Sequence, residues 1–421
     1  CIRDRLGRDQ LTVSIDEPSF YFLPQWSPDG SKLAFTDTHY RVLVMDVTTG
    51  DMQHVDTDRY AHPERTMNPV WSPDSRFIAY ARRLDTQLRV IVAFDTETGE
   101  QHQLTDGMAD AITPVWDESG DYLYFLASTN YGLNTGWLDM TSYDRPVTRA
   151  LYVAVLAADG TSPFLPVSDE EAAGEDGDPG GDTAVTVTID TDGIAERIVA
   201  APNLPLRDYT GLLPAPSGHV FLTESVPNES GSTVHRYSLD DREPTEYATG
   251  VASATVSADR STILHRSGST WRATATDGSP PSESDGRVAH GDLRVRIEPS
   301  EEWSQMLRDG WRFMRDFLYV DNQHGAPWGD VWSWYSAWLP DVEHRSDFNH
   351  LLDMLSGEIA VGHSYVRGGD YPELTNPRTG LLGADLSVVG GAYRIDRIYS
   401  GESWNPNLQG PLAHPGLGVS E

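Results

Sequence analysis

Hydrophobic and polar positions in the first third of the chain repeat with a period of 45 residues. Three segments share a tryptophan, a turn rich in Pro, Asp, Gly and Ser, and an alternating strand: Pro24–Phe35, Pro69–Tyr80 and Pro114–Phe125. A tight polar turn in front of an alternating strand is typical of a β-hairpin. The repeat therefore predicts three copies of one β-unit, with Trp26, Trp71 and Trp116 in equivalent positions.

Each of the first two periods also contains a further apolar strand that ends in an acidic turn, at Val42–Gly50 and at Arg89–Gly99. One period thus supplies about four short strands, which form one blade of a β-propeller. Weaker copies at Leu213–Leu222 and Val256–Leu264 extend the pattern. The chain is therefore predicted to be mainly β, with a β-propeller of four-stranded blades over residues 1–297 that is incomplete at its N-terminus.

An acidic segment at residues 168–182 interrupts the repeat. It contains seven acidic residues, no basic residue and four glycines. Such a composition favours a solvated loop inserted in a blade. A calcium site is the functional alternative, with these oxygen donors: Asp169, Glu170, Glu171, Asp176 and Asp178. Their spacing fits no EF-hand loop, so no metal site is predicted.

After residue 297 the period of the apolar positions changes from that of strands to that of helices. Pro299–Glu302 indicates a helix start with Ser300 as N-cap, and further helices are predicted to begin at Pro327 and at Ser346. Six of the 12 tryptophans lie between Trp303 and Trp338. These aromatic residues are predicted to form the core of a compact helical domain.

The charge and composition restrict the possible partners. With 31 basic and 64 acidic residues the net charge is −33, which argues against binding to nucleic acid or to an anionic membrane surface. The single cysteine, Cys1, excludes a disulfide framework and a cysteine-based zinc site. No apolar run is long enough to span a membrane. Lys32 is the one lysine, and every other basic residue is arginine. An excess of acidic residues combined with arginine in place of lysine fits either a protein adapted to high salt or a GC-rich genome.

The segment Gly357–Asp370 contains the candidate catalytic residue, His363, where the third helix is predicted to give way to a strand. A histidine in such a place is commonly a structural hydrogen-bonding residue. The functional alternative is a general base, which needs a nucleophile within reach and a group that orients the ring. The local sequence identifies neither the nucleophile nor the orienting group, and it indicates no cofactor.

Several segments together resemble the tricorn-type serine peptidases. They are the Trp-Ser-Pro-Asp blades, Arg145–Leu156 leading to Ser162–Phe164, Trp311–His324 ahead of Gly325 and Trp328, and Gly357–Tyr365. The resemblance implies a propeller that gates or channels peptides, a helical first catalytic subdomain at 298–376, and the start of a PDZ-like domain at 377–421. A second catalytic subdomain would follow.

In that family a histidine of the first catalytic subdomain is the general base for a serine of the second, and His363 occupies the matching position. The best-known archaeal form has a serine directly before this histidine, whereas this chain has Gly362. The resemblance implies peptide or unfolded polypeptide substrates and a homo-oligomer. It also implies that the chain is a fragment, inactive alone, whose nucleophile lies beyond Glu421.

A non-catalytic propeller scaffold that binds a protein partner is the alternative function. The helical segment after residue 297 and the Gly362-His363 pair argue against it, because a simple propeller has no use for them. The compartment stays open between the cytoplasm and the periplasm.

Overall fold

The computed structural model describes residues 13, 19–58, 67–131, 146–165, 185–282, 284–371, 379–402, 404–405 and 407–421. The chain forms two compact units. The first combines residues 1–298 with 312–323, and the second combines 299–311 with 324–421. The predicted acidic loop at 168–182, with its alternative calcium ligands, lies outside the described residues.

In the part of the first unit that the structure describes, three four-stranded antiparallel sheets follow one another in sequence order. The first blade is β1 Tyr21–Trp26, β2 Lys32–Asp37, β3 Arg41–Asp46 and β4 Met52–Thr57. The second is β5 Val70–Trp71, β6 Phe77–Arg83, β7 Arg89–Asp95 and β8 Gln101–Gln103. The third is β9 Asp110–Trp116, β10 Tyr122–Ser128, β11 Ala150–Val155 and β12 Ile198–Ala200. The predicted mainly β fold with four-stranded blades is confirmed.

A six-stranded sheet follows and joins two blades through one long strand. Its strands are β13 Tyr209–Pro214, β14 His219–Ser225, β15 Ser232–Ser238, β16 Glu243–Val256, β17 Thr262–Ser267 and β18 Thr270–Ala275. The first part of β16 pairs with β15, and the part from Val251 to Val256 pairs with β17. Strand β16 is therefore both the last strand of the fourth blade and the first strand of the fifth.

The repeated tryptophans hold neighbouring blades in register. The indole Nε1 of Trp71 donates to the carbonyl oxygen of Gln25, and that of Trp116 donates to the carbonyl oxygen of Val70, both at 3.1 Å. Each acceptor directly precedes the tryptophan of the previous blade. All three tryptophans end the first strand of their blade and pair with the start of the second, so the predicted equivalence of position is confirmed. Their burial differs: Trp26 is 48% exposed, because no earlier blade among the described residues supplies its carbonyl.

The apolar core lies between successive blades. Ile78 and Val92 of the second blade pack with Val44 of the first, and one cluster extends over both blades. Trp116 of the third blade packs with Phe77 of the second in the next cluster. Further clusters connect the third blade with the fourth and the fourth with the fifth. Interior blades such as the second and third therefore bury apolar side chains on both faces.

The second unit contains α2 Trp328–Ser336, α3 Arg345–Gly357 and the first part of α1 Pro299–Phe317. Helix α1 begins at Pro299 with Glu298 as N-cap, so the prediction of Ser300 as cap is wrong. Proline suits the first helical position because its missing N–H would have no helical partner there. Helix α3 begins one residue before the predicted start, and His344 caps it by accepting from the backbone N–H of Ser346 at 3.1 Å.

Two tryptophans join α1 to α2 by reciprocal hydrogen bonds. Trp311 Nε1 donates to the carbonyl oxygen of Trp328 at 2.8 Å, and Trp328 Nε1 donates to that of Trp311 at 3.0 Å. Trp303 stacks on Phe348 with ring centroids 6.3 Å apart. Trp303, Trp311 and Trp328 thus pack within the helical domain, as predicted. The prediction is wrong for Trp334 and Trp338, which are 49% and 61% exposed, because helical spacing does not specify what covers an apolar face.

A β-hairpin follows in the C-terminal segment, with strands β19 Ala384–Val389 and β20 Ala392–Ile398. Gly390 and Gly391 connect them with positive φ angles of 63° and 85°, which the two-residue turn requires. Within the described residues, no helix is both long and apolar enough to cross a membrane.

Candidate active site

His363 lies in an irregular segment directly after α3. Its backbone φ is +67°, and Ala360 before it has φ +57°. Residues other than glycine rarely adopt this left-handed conformation, and such residues occur disproportionately at functional sites. The predicted strand after the helix is wrong, because residues 361–371 form neither strand nor helix.

The imidazole of His363 is exposed and contacts one neighbouring ring. Its Nδ1 lies 3.5 Å from the hydroxyl oxygen of Tyr365, and the two rings meet edge to face at an interplanar angle of 84°. The guanidinium carbon of Arg367 lies 5.0 Å from the centre of the Tyr365 ring, in cation–π geometry. His363, Tyr365 and Arg367 therefore form a continuous row along the chain.

Side chains of α3 fix the chain that follows this row. Asn349 Nδ2 donates to the carbonyl oxygen of Gly368 at 2.9 Å and to the hydroxyl of Tyr371 at 2.8 Å. Arg345 Nε in turn donates to Asn349 Oδ1 at 3.0 Å. The segment is thus anchored to the start of α3 although it contains no regular hydrogen-bond ladder.

Two concave surfaces meet at His350 on α3. A polar cleft of about 280 Å³ includes Asp353, Tyr365 and Arg367 in its wall. A larger apolar pocket of about 470 Å³ is lined by side chains of α2 and α3 and of the turn between them: Trp334, Tyr335, Trp338, Asp341, Val342, Asp347, Leu351 and Met354. Because both walls contain His350, the apolar pocket adjoins the cleft that contains Tyr365.

Tyr335 is the titratable group whose environment is most clearly altered in this unit. Its hydroxyl donates to Glu358 Oε1 at 2.6 Å. Burial and the adjacent Glu358 carboxylate raise the pKa of Tyr335 to about 12. The phenol therefore stays protonated at neutral pH and acts as a hydrogen-bond donor at the C-terminal end of α3.

The described residues do not complete a catalytic constellation around His363. No serine hydroxyl and no carboxylate among them hydrogen-bonds its ring, and no cluster of histidine, cysteine, aspartate or glutamate in the same residues could hold a metal ion. Sequence reasoning missed Tyr365. No signal in the sequence indicated the contact, because it depends on the left-handed backbone of His363.

Three family models match the chain in succession. They are the tricorn protease second β-propeller domain over residues 8–277, the tricorn protease C1 domain over 299–357, and the tricorn protease PDZ domain over 380–421. The chain belongs to the tricorn protease family. The propeller, the helices α1 to α3 and the C-terminal hairpin thus correspond to tricorn protease domains in the order that the sequence predicted.

Curated tricorn relatives are similar over nearly the whole chain. Tricorn protease homolog 1 of Streptomyces coelicolor is 28% identical over 93% of the chain and 38% of its own length. The tricorn protease homolog of Saccharolobus solfataricus is 26% identical over 93% of the chain and 36% of its own length. The chain thus spans less than two fifths of the length of these relatives.

A crystal structure of the tricorn protease shares the fold. Its TM-score is 0.74 at 19% identity, with 97% of this chain and 39% of that chain covered. His363 lies between the C1 and PDZ tricorn models, in an interval that neither covers. Its role as general base therefore stays a prediction.

Proposed function

We propose that this chain is part of a tricorn-like serine peptidase that cleaves peptides or oligopeptides through an acyl-enzyme, with His363 as general base. The observation that supports this proposal most directly is the position of His363. It follows the C1 helices, it has an exposed ring on left-handed backbone, and its ring contacts Tyr365, which lines a cleft. A base that must reach a substrate needs this accessibility, whereas a packing histidine would be buried.

The expected chemistry is acyl transfer. As a serine Oγ attacks the peptide carbonyl carbon, His363 takes up the hydroxyl proton and then delivers it to the amine that leaves when the C–N bond breaks. Water next attacks the acyl-enzyme and gives a proton to His363. That proton returns to serine Oγ as the ester bond breaks and the carboxyl product departs.

The nucleophile is proposed to lie beyond Glu421, so this chain alone is expected to be inactive. The chain matches 38% and 36% of the length of two relatives, so a full-length protein of that size would contain further segments that could carry the nucleophile. The propeller is proposed to gate or channel peptide or unfolded polypeptide substrates in a homo-oligomeric enzyme. Its blades follow the tricorn second propeller model over most of their length.

Substitution of His363 in the full-length protein tests the proposal. His363→Ala should lower turnover of peptide substrates by several orders of magnitude, because loss of a triad member leaves only about 10³–10⁴-fold catalysis over water. The melting temperature should stay unchanged, since the exposed ring contributes little packing. Turnover per folded molecule and thermal melting are the measurements.

His414→Ala is the matched control, because His414 is another exposed histidine of the same unit. It should change neither turnover nor melting temperature. Unchanged turnover in His363→Ala would reject the base assignment, whereas a full-length parent that cleaves no peptide would favour the non-catalytic propeller scaffold. A lower melting temperature with normal turnover of the folded fraction would instead assign His363 a structural role.

A further inference from the structure

The contact between His363 and Tyr365 can form in either direction, because the donor depends on which nitrogen of the imidazole carries the proton. The pair joins Nδ1 of the imidazole to the Tyr365 hydroxyl oxygen at 3.5 Å. This is a long hydrogen bond, but catalytic hydrogen bonds are often long without substrate and shorten in the complex. In the described residues no other side chain hydrogen-bonds the His363 ring, and the preceding Gly362 has no side chain to contribute.

We infer that Tyr365 is a positioning residue for His363: its hydroxyl oxygen accepts a hydrogen bond from Nδ1–H and leaves Nε2 with the free lone pair. This inference rests on the proposed function. The hydrogen bond made by one ring nitrogen determines which nitrogen carries the proton in a neutral imidazole. With Nδ1 protonated, Nε2 is the atom that can take up a hydroxyl proton.

The surroundings of Tyr365 suit an orienting role. Tyr365 is 67% exposed, so packing alone does not fix its ring. The guanidinium of Arg367 lies over the ring at 5.0 Å, and Asn349 fixes the backbone at Gly368. The left-handed backbone of His363 aims the imidazole at the hydroxyl instead of along a regular strand. The Arg367 guanidinium thus supports the phenol ring, whose hydroxyl oxygen lies 3.5 Å from Nδ1.

Tyr365→Phe removes the hydroxyl and keeps the ring. In the full-length enzyme, kcat should fall about two- to tenfold, the range expected for one neutral hydrogen bond. KM should stay within about twofold, because ring orientation affects the reaction step more than substrate binding. Tyr393→Phe is the control, since Tyr393 is 80% exposed in the C-terminal hairpin and should leave both constants unchanged.

A second measurement on this chain reports the tautomer without any need for catalysis. Nitrogen NMR of the ¹⁵N-labelled histidines, with His363→Gln for assignment, should show a protonated Nδ1 and an unprotonated Nε2 in His363 at mildly alkaline pH. Tyr365→Phe should shift that signal toward a mixture of tautomers. Tyr393→Phe should leave it unchanged.

The two readouts separate this inference from the proposed function. If Tyr365→Phe changes neither the His363 tautomer nor kcat while His363→Ala abolishes turnover, the positioning role is overturned and the base assignment stands. If the tautomer changes but His363→Ala retains turnover, the proposed function fails although the contact exists. A changed tautomer together with a lower kcat supports both.

Discussion

The propeller and the helical region use tryptophan in opposite ways. Trp116 is 2% exposed and donates to a carbonyl of the previous blade, whereas Trp338 after α2 is 61% exposed. Both positions follow a clear apolar pattern in the sequence. In a repeat, each unit packs against another copy of the same unit, so the sequence also indicates what covers the tryptophan. Helical periodicity indicates an apolar face but not what covers it.

The largest expected effect is on the stability of the propeller. Trp116→Ala should lower the free energy of unfolding by about 3–5 kcal/mol, because it leaves a cavity beside Phe77 and removes the hydrogen bond to the carbonyl of Val70. Trp338→Ala should change it by less than about 0.5 kcal/mol, as expected for an exposed site. Urea midpoints and melting temperatures of the two variants provide the comparison.

An equal loss of stability in both variants would contradict the contrast between the two regions. It would show that the exposed face of Trp338 is covered in solution. Trp26→Ala adds a control inside the propeller. It removes the first tryptophan of the repeat, which is 48% exposed, and should cost much less than Trp116→Ala.

The same contrast determines how much of the fold could be predicted. The 45-residue spacing indicated the blades because each tryptophan docks at the same place on the previous copy. It did not indicate that β16 serves two blades, since nothing in the local pattern marks where one strand changes its partner. The exposure of Trp338 was unpredictable because the cover of a helix face depends on distant parts of the chain.

The site was predictable to a similar degree. The position of His363 after the third helix could be found from the sequence, and so could its small neighbours. Its left-handed backbone could not, because histidine rarely adopts a positive φ and no glycine marks the position. The row from His363 to Arg367 depends on that backbone conformation.

A second, smaller effect should appear at alkaline pH and should be concentrated in the propeller. Burial raises the pKa of Tyr209 to about 12, with the nearby Glu224 carboxylate as a further cause. Burial also raises the pKa values of Tyr80, Tyr124 and Tyr237. An unfolded tyrosine loses its proton near pH 10, so the unfolded chain binds fewer protons than the folded chain above that pH. The tyrosine contribution to the free energy of unfolding should therefore be constant well below pH 10 and fall as the pH rises from 10 to 12.

Tyr209→Phe tests this pH dependence at one position. Between pH 10 and 12 the free energy of unfolding should fall by roughly 2 kcal/mol less in the variant than in the parent protein, because a phenylalanine does not titrate. Urea unfolding at a series of pH values from 9 to 11.5 measures it. Tyr393→Phe, at an exposed tyrosine, should behave like the parent. Identical slopes in Tyr209→Phe and the parent would contradict the raised pKa of Tyr209.

The smallest effect concerns salt, and it should not distinguish the two regions. Acidic residues outnumber basic ones both before and after residue 298, and the whole chain has a net charge of −33. Self-repulsion at this charge opposes compaction, and it is screened as the Debye length falls from about 30 Å at 0.01 M salt to about 10 Å at 0.1 M. The melting temperature should therefore rise with KCl, and calorimetry should show any separate transitions rising together.

Since screening acts on net charge and not on particular contacts, Trp116→Ala and Trp338→Ala should show the same salt dependence as the parent. A constant melting temperature from 0.01 to about 2 M KCl would contradict adaptation to high salt. It would leave a GC-rich genome as the explanation for the near absence of lysine.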